Sequence, residues 1–155
     1  MNPLRPVAIR IGRISWLPRY LRQIVAVDKA VHRVTGGRFG LLDLAGLPHL
    51  MLTVPGRRTG IARTTPLLCV PHEGAFLVAG SNWGAPTLPA WVHNLRAHPE
   101  ALVHHRGRDV EVVAREVGGP ERNDLWQVML RTWPNYAAYA RRTSRVIPVF
   151  ELTPR

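Results

Sequence analysis

Along this chain the spacing of apolar positions switches between a helical period and a strand period. Leu17, Tyr20, Leu21, Ile24, Val31 and Val34 recur at helical spacing. Pro18 suits a first helical position and Gly36-Gly37 a C-terminal stop, which predicts a helix over 17–36. Beyond it the runs shorten. His49–Val54, Thr64–Pro71 and Ala75–Gly80 are separated by Gly- and Pro-containing connections and predict strands. Ala101–Arg106 and Asp109–Val117 form another pair, joined at Gly107. In the second of these Val110, Val112 and Ala114 alternate with Asp109, Glu111 and Arg115, the pattern of a half-buried strand. A last strand is predicted over Val146–Leu152, with Pro148 marking an edge or a bulge.

Two helical segments interrupt the strands. In "TLPAWVHNLRAHP" Leu88, Trp91, Val92 and Leu95 share a face, and Pro99 ends the run. In "GPERNDLWQVMLRTWP" Pro120 opens a helix that turns Leu125, Val128, Met129 and Trp133 inward, and Pro134 forces a break. "NYAAYARRT" then makes one or two turns, with Tyr136 and Tyr139 on one side. Six short strands with few helices between them predict an antiparallel barrel in the α+β class, helices packed outside.

Composition narrows the picture. The 155 residues suit one domain, 1–155, with its core over 49–155. A hydrophobic share of 46% with five tryptophans excludes a disordered chain. The formal net charge of +11 points to an anionic partner. Of the 21 basic residues only Lys29 is lysine; the arginine bias suits bidentate anion recognition, and codon bias explains it as well. Cys69 is the single cysteine, in an apolar strand, which fits a buried thiol and a reducing cytosol. The basic, apolar segment 1–16 has Arg5, Arg10 and Arg13 but no signal-peptide core, so a cytoplasmic protein is expected. That segment either folds across the domain or rests on the inner face of the membrane.

Motifs for metal, phosphate-loop, Rossmann and serine-hydrolase chemistry are missing, and adjacent His104 and His105 would point to opposite faces of a strand. No metal is expected. Two stretches do carry chemistry. In "TVPGRRTGIARTTPL" Gly56 and Gly60 are suited to positive φ in a tight turn from which Arg57 and Arg58 project, with Arg63 opening the next strand. Three guanidiniums and turn N–H groups suit phosphate or several carboxylates, and a solvated hairpin is the plain alternative. Pro66 lacks an N–H, which leaves room for a flat ligand beside Thr64 and Thr65. In "AGSNWGAPTLPAWVHNL" a loop with Ser81, Asn82 and Trp83 leads from a strand to a helix with Trp91, His93 and Asn94, a place for a planar ring to stack.

With "TWPNYAAYARRT" and "IPVFEL", these stretches resemble in order and spacing the deazaflavin-dependent nitroreductase family, the coenzyme F-420-dependent quinone reductases. The resemblance covers about Leu50 to Pro154. It implies a split β-barrel like that of flavin-mononucleotide-binding oxidoreductases, and hydride transfer from reduced coenzyme F-420 to a quinone-like, nitro or otherwise activated acceptor. The coenzyme carries a phosphodiester and a glutamate tail, and the resemblance sets Arg57, Arg58, Thr59 and Arg63 against these. It sets Thr64, Thr65, Pro66, Leu67 and Leu68 along the cofactor, with Ala79, Gly80, Ser81 and Asn82 and then Ala90, Trp91, Val92, His93 and Asn94 as further contacts. Tyr136 comes over the ring, with Tyr139, Trp133 and Trp83 in the substrate pocket; Ser81, Tyr136 and Tyr139 are the implied catalytic groups. Trp83 stands where the family often has the first of two glycines. The expected cofactor is coenzyme F-420, with flavin mononucleotide the lesser alternative, and the expected acceptor is menaquinone-like. The competing reading is a non-catalytic module that binds nucleic acid or a membrane surface. The arginines are scattered along the chain rather than gathered on an aromatic platform, so no nucleic-acid partner is expected.

Overall fold

The computed structural model describes residues 5–12, 21–34 and 47–155. Its elements are α1 (Arg5–Gly12), α2 (Leu21–Val34), β1 (His49–Pro55), β2 (Ala62–Leu68), β3 (Val70–His72), β4 (Ala75–Ala79), α3 (Ala90–Ala97), β5 (Glu100–His105), β6 (Arg108–Val117), α4 (Gly119–Thr132), α5 (Asn135–Arg142) and β7 (Val149–Pro154). A 3-10 turn, Asn82–Gly84, lies between β4 and α3. The helix expected over 17–36 is present as α2, and its expected Pro18 start and Gly36-Gly37 stop lie outside the described residues.

All seven strands pair antiparallel in the order β2-β1-β5-β6-β7-β4-β3. The two end strands, β2 and β3, are separated in sequence by Cys69 alone. One residue cannot cross a flat seven-stranded sheet, since neighbouring strands lie about 4.7–4.9 Å apart. The sheet therefore curls until its ends meet at Cys69, a half-barrel with flanking helices. The Cys69 N–H donates to the Pro48 carbonyl at 3.0 Å and ties the bend to the start of β1.

Two expectations need correction. The strand predicted over Thr64–Pro71 is two strands, because the chain passes from one end of the sheet to the other within it. The last strand begins at Val149, not Val146. It lies in the sheet interior between β6 and β4, where Pro148 would remove a ladder donor, so the proline precedes it.

Alternation divides the core into two. Leu50, Leu52, Val54, Val78, Val103, Val112, Phe150 and Leu152 turn to one face and meet Trp91, Val92 and Leu95 of α3. The opposite face turns Val70, Leu77 and Val149 toward Leu125 and Met129 of α4 and Tyr136 and Tyr139 of α5. Each fully buried aliphatic side chain of this kind contributes about 1.5–3 kcal/mol. Helix α1 docks on the second cluster. Its Ile9 packs there, Arg5 donates to the Thr132 carbonyl at 2.9 Å, and Asn135 donates to the Ile9 carbonyl at 2.7 Å. Among the described residues no helix is long and apolar enough to cross a membrane.

Candidate active site

Strands β1 and β2 are joined by the turn 56–61, which hydrogen bonds fix from inside. Gly56 N–H donates to the Ile61 carbonyl and Gly60 N–H to the Gly56 carbonyl, each at 2.8 Å. Thr59 Oγ1 accepts from Ile61 N–H at 3.2 Å. Gly60 has the expected positive φ, +69°, but Gly56 does not. Gly56 is needed for space: a Cβ there would stand 2.9 Å from Thr59 Oγ1. With the backbone so occupied, Arg57, Arg58 and Arg63 are left exposed, and their side chains are free to meet a ligand. The Arg57 N–H is not free, because it donates to Asn94 Oδ1 at 3.0 Å. That bond brings the arginine turn against α3.

β2 is an end strand with β1 as its one neighbour. Thr64 and Thr53 pair across the two strands, with their hydroxyls 2.8 Å apart. Thr65, Pro66, Leu67 and Leu68 are half-buried; Leu67 leans on the first cluster and Leu68 on the second. Arg63 and Thr64 also line a groove of about 560 Å³ that takes Lys29 and Arg33 from α2. His104 stands in the same groove, its Nδ1 2.7 Å from Asp109 Oδ1 and its buried Nε2 without a partner among the described residues.

The loop after β4 also meets α3. Gly80 leaves no room for a side chain, since a Cβ would lie 2.7 Å from Val92 Cγ2 and 2.8 Å from Pro148 Cγ. Ala79 is half-buried and Ser81 is buried. Asn82 donates its side-chain N–H to the Thr87 carbonyl at 3.0 Å. On α3, Trp91 and Val92 are core residues, Ala90 is exposed, His93 is half-buried, and Asn94 is spent on the turn. Three of the expected cofactor segments, 57–68, 79–82 and 90–94, thus converge around α3.

Tyr136, Tyr139 and Trp133 lie deeper. They are 3%, 5% and 7% exposed in the second cluster. Their rings interlock: Tyr136 meets Tyr139 edge-on at 6.1 Å, and Trp133 Nε1–H donates to the Tyr139 hydroxyl at 3.3 Å. Burial raises the pKa of both phenols above the ordinary tyrosine value, so both stay protonated at working pH. Burial likewise pushes the Cys69 thiol, which acts electrostatically on Tyr136, up to about 12. Trp83 adjoins this group through the next residue: a Cβ on Gly84 would lie 2.8 Å from the Tyr139 carbonyl and 2.8 Å from Arg142 Cβ.

Sequence reasoning missed two residues. Arg142 donates to the Trp83 carbonyl at 3.2 Å and lies over the Tyr139 ring at 5.5 Å. Arg145 donates to the carbonyls of Gly80, Ser81, Ala85 and Thr87 at 3.0–3.3 Å. Contacts to carbonyls some 60 residues away leave no local pattern, and the segment Arg141–Arg145 reads only as basic.

The model of the F420H(2)-dependent quinone reductase family matches residues 23–154. An F420H(2)-dependent quinone reductase of Mycobacterium tuberculosis is 35% identical over 144 residues, covering 90% of this chain and 97% of its own. The solved structure of an F420-H2 dependent reductase superposes with a TM-score of 0.63 at 33% identity, over 68% of this chain and 93% of that one. Another solved structure, described as a domain-swapped dimer, gives 0.66 at 30% identity, over 80% of this chain and 94% of that one.

Proposed function

The chain belongs to the F420H(2)-dependent quinone reductase family, and we infer from the arrangement around α3 how it serves that chemistry. It is an oxidoreductase with coenzyme F-420 as cofactor and a quinone as acceptor. Our reading of the site rests above all on the bond from Arg57 N–H to Asn94 Oδ1, which sets the arginine turn beside the 90–94 segment.

A flat, anionic cofactor suits these residues. Three exposed guanidiniums stand at or beside one rigid turn, and Pro66 withholds a donor from an end strand. In our reading Arg57, Arg58 and Arg63 take the phosphodiester and carboxylates, and Thr59 keeps the turn in shape. Thr64 to Leu68, Ala79 to Asn82 and Ala90 to Asn94 hold the cofactor's length and orient it. Coenzyme F-420 in its reduced form supplies a hydride when bound.

The acceptor, menaquinone-like in this proposal, lies toward Ser81, Trp83, Trp133, Tyr136 and Tyr139. The tyrosines act as neutral O–H donors, because burial keeps them protonated. Ser81 offers a second hydroxyl to the acceptor oxygen. Trp83 narrows the entrance. Tyr136→Phe is expected to lower kcat for quinone about tenfold, roughly 1.4 kcal/mol, with coenzyme affinity unchanged. A lower melting temperature with kcat intact would assign Tyr136 to the core alone.

We place the protein in the cytoplasm, in peripheral contact with the inner face of the membrane through the exposed Pro6, Val7 and Arg10 of α1. Anionic vesicles at low salt should then retain the full chain better than a chain without residues 1–12. Equal retention of the two would count against the contact.

A further inference from the structure

The loop after β4 is held in a conformation that Trp83 does not favour. Asn82 at φ +43° and Trp83 at φ +58° both sit in the left-handed region, followed by Gly84 at +81°. Glycine adopts this backbone freely and asparagine tolerates it, whereas a bulky residue such as Trp83 there is strained. A tryptophan in this region persists only where the surroundings impose it, and such strain gathers at functional sites.

The surroundings here are mainly one guanidinium. Arg145 Nε donates to the Ala85 carbonyl at 3.1 Å, one terminal nitrogen to Gly80 at 3.0 Å, and the other to Ser81 at 3.1 Å and Thr87 at 3.3 Å. These four carbonyls flank Asn82 and Trp83 on both sides. Bonds to a charged donor are stronger than neutral ones, and four of them together hold the loop in this conformation. Arg142 adds a bond to the Trp83 carbonyl between them. The planar five-donor fork is what lets one side chain reach four diverging carbonyls; an ammonium has three donors on one atom.

We propose that Arg145 is a positioning residue for quinone reduction: it clamps 80–87 so that Ser81 and Trp83 face the acceptor in one fixed arrangement, without touching the acceptor itself. This rests on the acceptor-side reading of Ser81 and Trp83 given above. Its four bonds go to the 80–87 loop and none to the turn 56–61, which holds the coenzyme's anionic groups in that reading.

The test compares Arg145→Gln and Arg145→Lys with the wild type, alongside Ser81→Ala and Trp83→Gly. Arg145→Gln is expected to lower kcat/KM for quinone by about ten- to a hundredfold, the scale of a small misplacement near the reacting groups. Its Kd for coenzyme F-420 should rise by less than about tenfold, since Gly80 to Asn82 are one of three segments that hold the coenzyme and the arginine turn is left intact. Arg145→Lys should fall between the two, and it carries the comparison if the glutamine variant does not fold. All assays run well below each variant's melting temperature, so unfolded protein does not contribute. Unchanged quinone kinetics in folded Arg145 variants would overturn the proposal, as would equal losses in coenzyme affinity and in turnover. If Ser81→Ala and Trp83→Gly themselves leave quinone kinetics unchanged, the pocket reading fails and the clamp with it. If they alter the kinetics and the Arg145 variants do not, only the clamp fails.

Discussion

Replacing Arg57, Arg58 or Arg63 by alanine is expected to weaken binding of coenzyme F-420 by about 1.5–3 kcal/mol each, roughly ten- to 150-fold in Kd. The three side chains are exposed, and the turn closes through the backbone of Gly56, Gly60 and Ile61 and the Thr59 hydroxyl. Removing the guanidiniums therefore leaves the fold intact, and the loss appears in binding. It should shrink as salt is raised, because exposed charges are screened beyond about 10 Å at 0.1 M ionic strength. Calorimetric titration at two salt concentrations measures both effects. Unchanged affinity in all three variants would remove this turn from the site.

Trp91→Ala should produce the largest loss of stability, about 3–5 kcal/mol. Trp91 is 5% exposed and meets Phe150 edge-on at 5.8 Å, among the side chains that fill the curl of the sheet. Trp91 packs against the buried side chains of the sheet, and the loss is a large part of the 5–15 kcal/mol that stabilises a typical domain. Denaturant midpoints for Trp91→Ala and Trp91→Phe check this, with phenylalanine keeping most of the packing. A stable Trp91→Ala variant that binds coenzyme poorly would mean that the indole serves the ligand and not the core.

Much of the fold is legible where one face of an element is wet. The alternation of Val110, Val112 and Ala114 with Asp109, Glu111 and Arg115 locates β6, and the shared face of Trp91, Val92 and Leu95 locates α3. Pro120 and Pro134 mark the start of α4 and its break from α5. The division of β2 from β3 is not legible, because the run from Pro66 to Pro71 is apolar through the bend and carries no turn residue at Cys69. Within the site, the arginine turn announces itself through glycines and charge. The tyrosines do not: a helical face bearing Tyr136 and Tyr139 packs into a core as readily as it lines a pocket, and here both rings are buried. Arg145 is legible only in three dimensions, since its partners are backbone carbonyls whose side chains place no demand on the sequence. For segment 1–16 the described part, α1, docks on α4 and α5 through Arg5 and Ile9 and keeps Pro6, Val7 and Arg10 exposed.

The central claim is that this chain uses reduced coenzyme F-420 to reduce a quinone. The most direct test titrates the purified protein with coenzyme F-420 and with flavin mononucleotide, then adds quinone to the complex with reduced coenzyme. Saturable binding of coenzyme F-420 is expected, at least about tenfold tighter than flavin mononucleotide, or some 1.4 kcal/mol. Oxidation of the reduced coenzyme should match quinol formed, one for one. Preference for flavin mononucleotide, or a bound reduced coenzyme that quinone leaves unoxidised, would contradict the account.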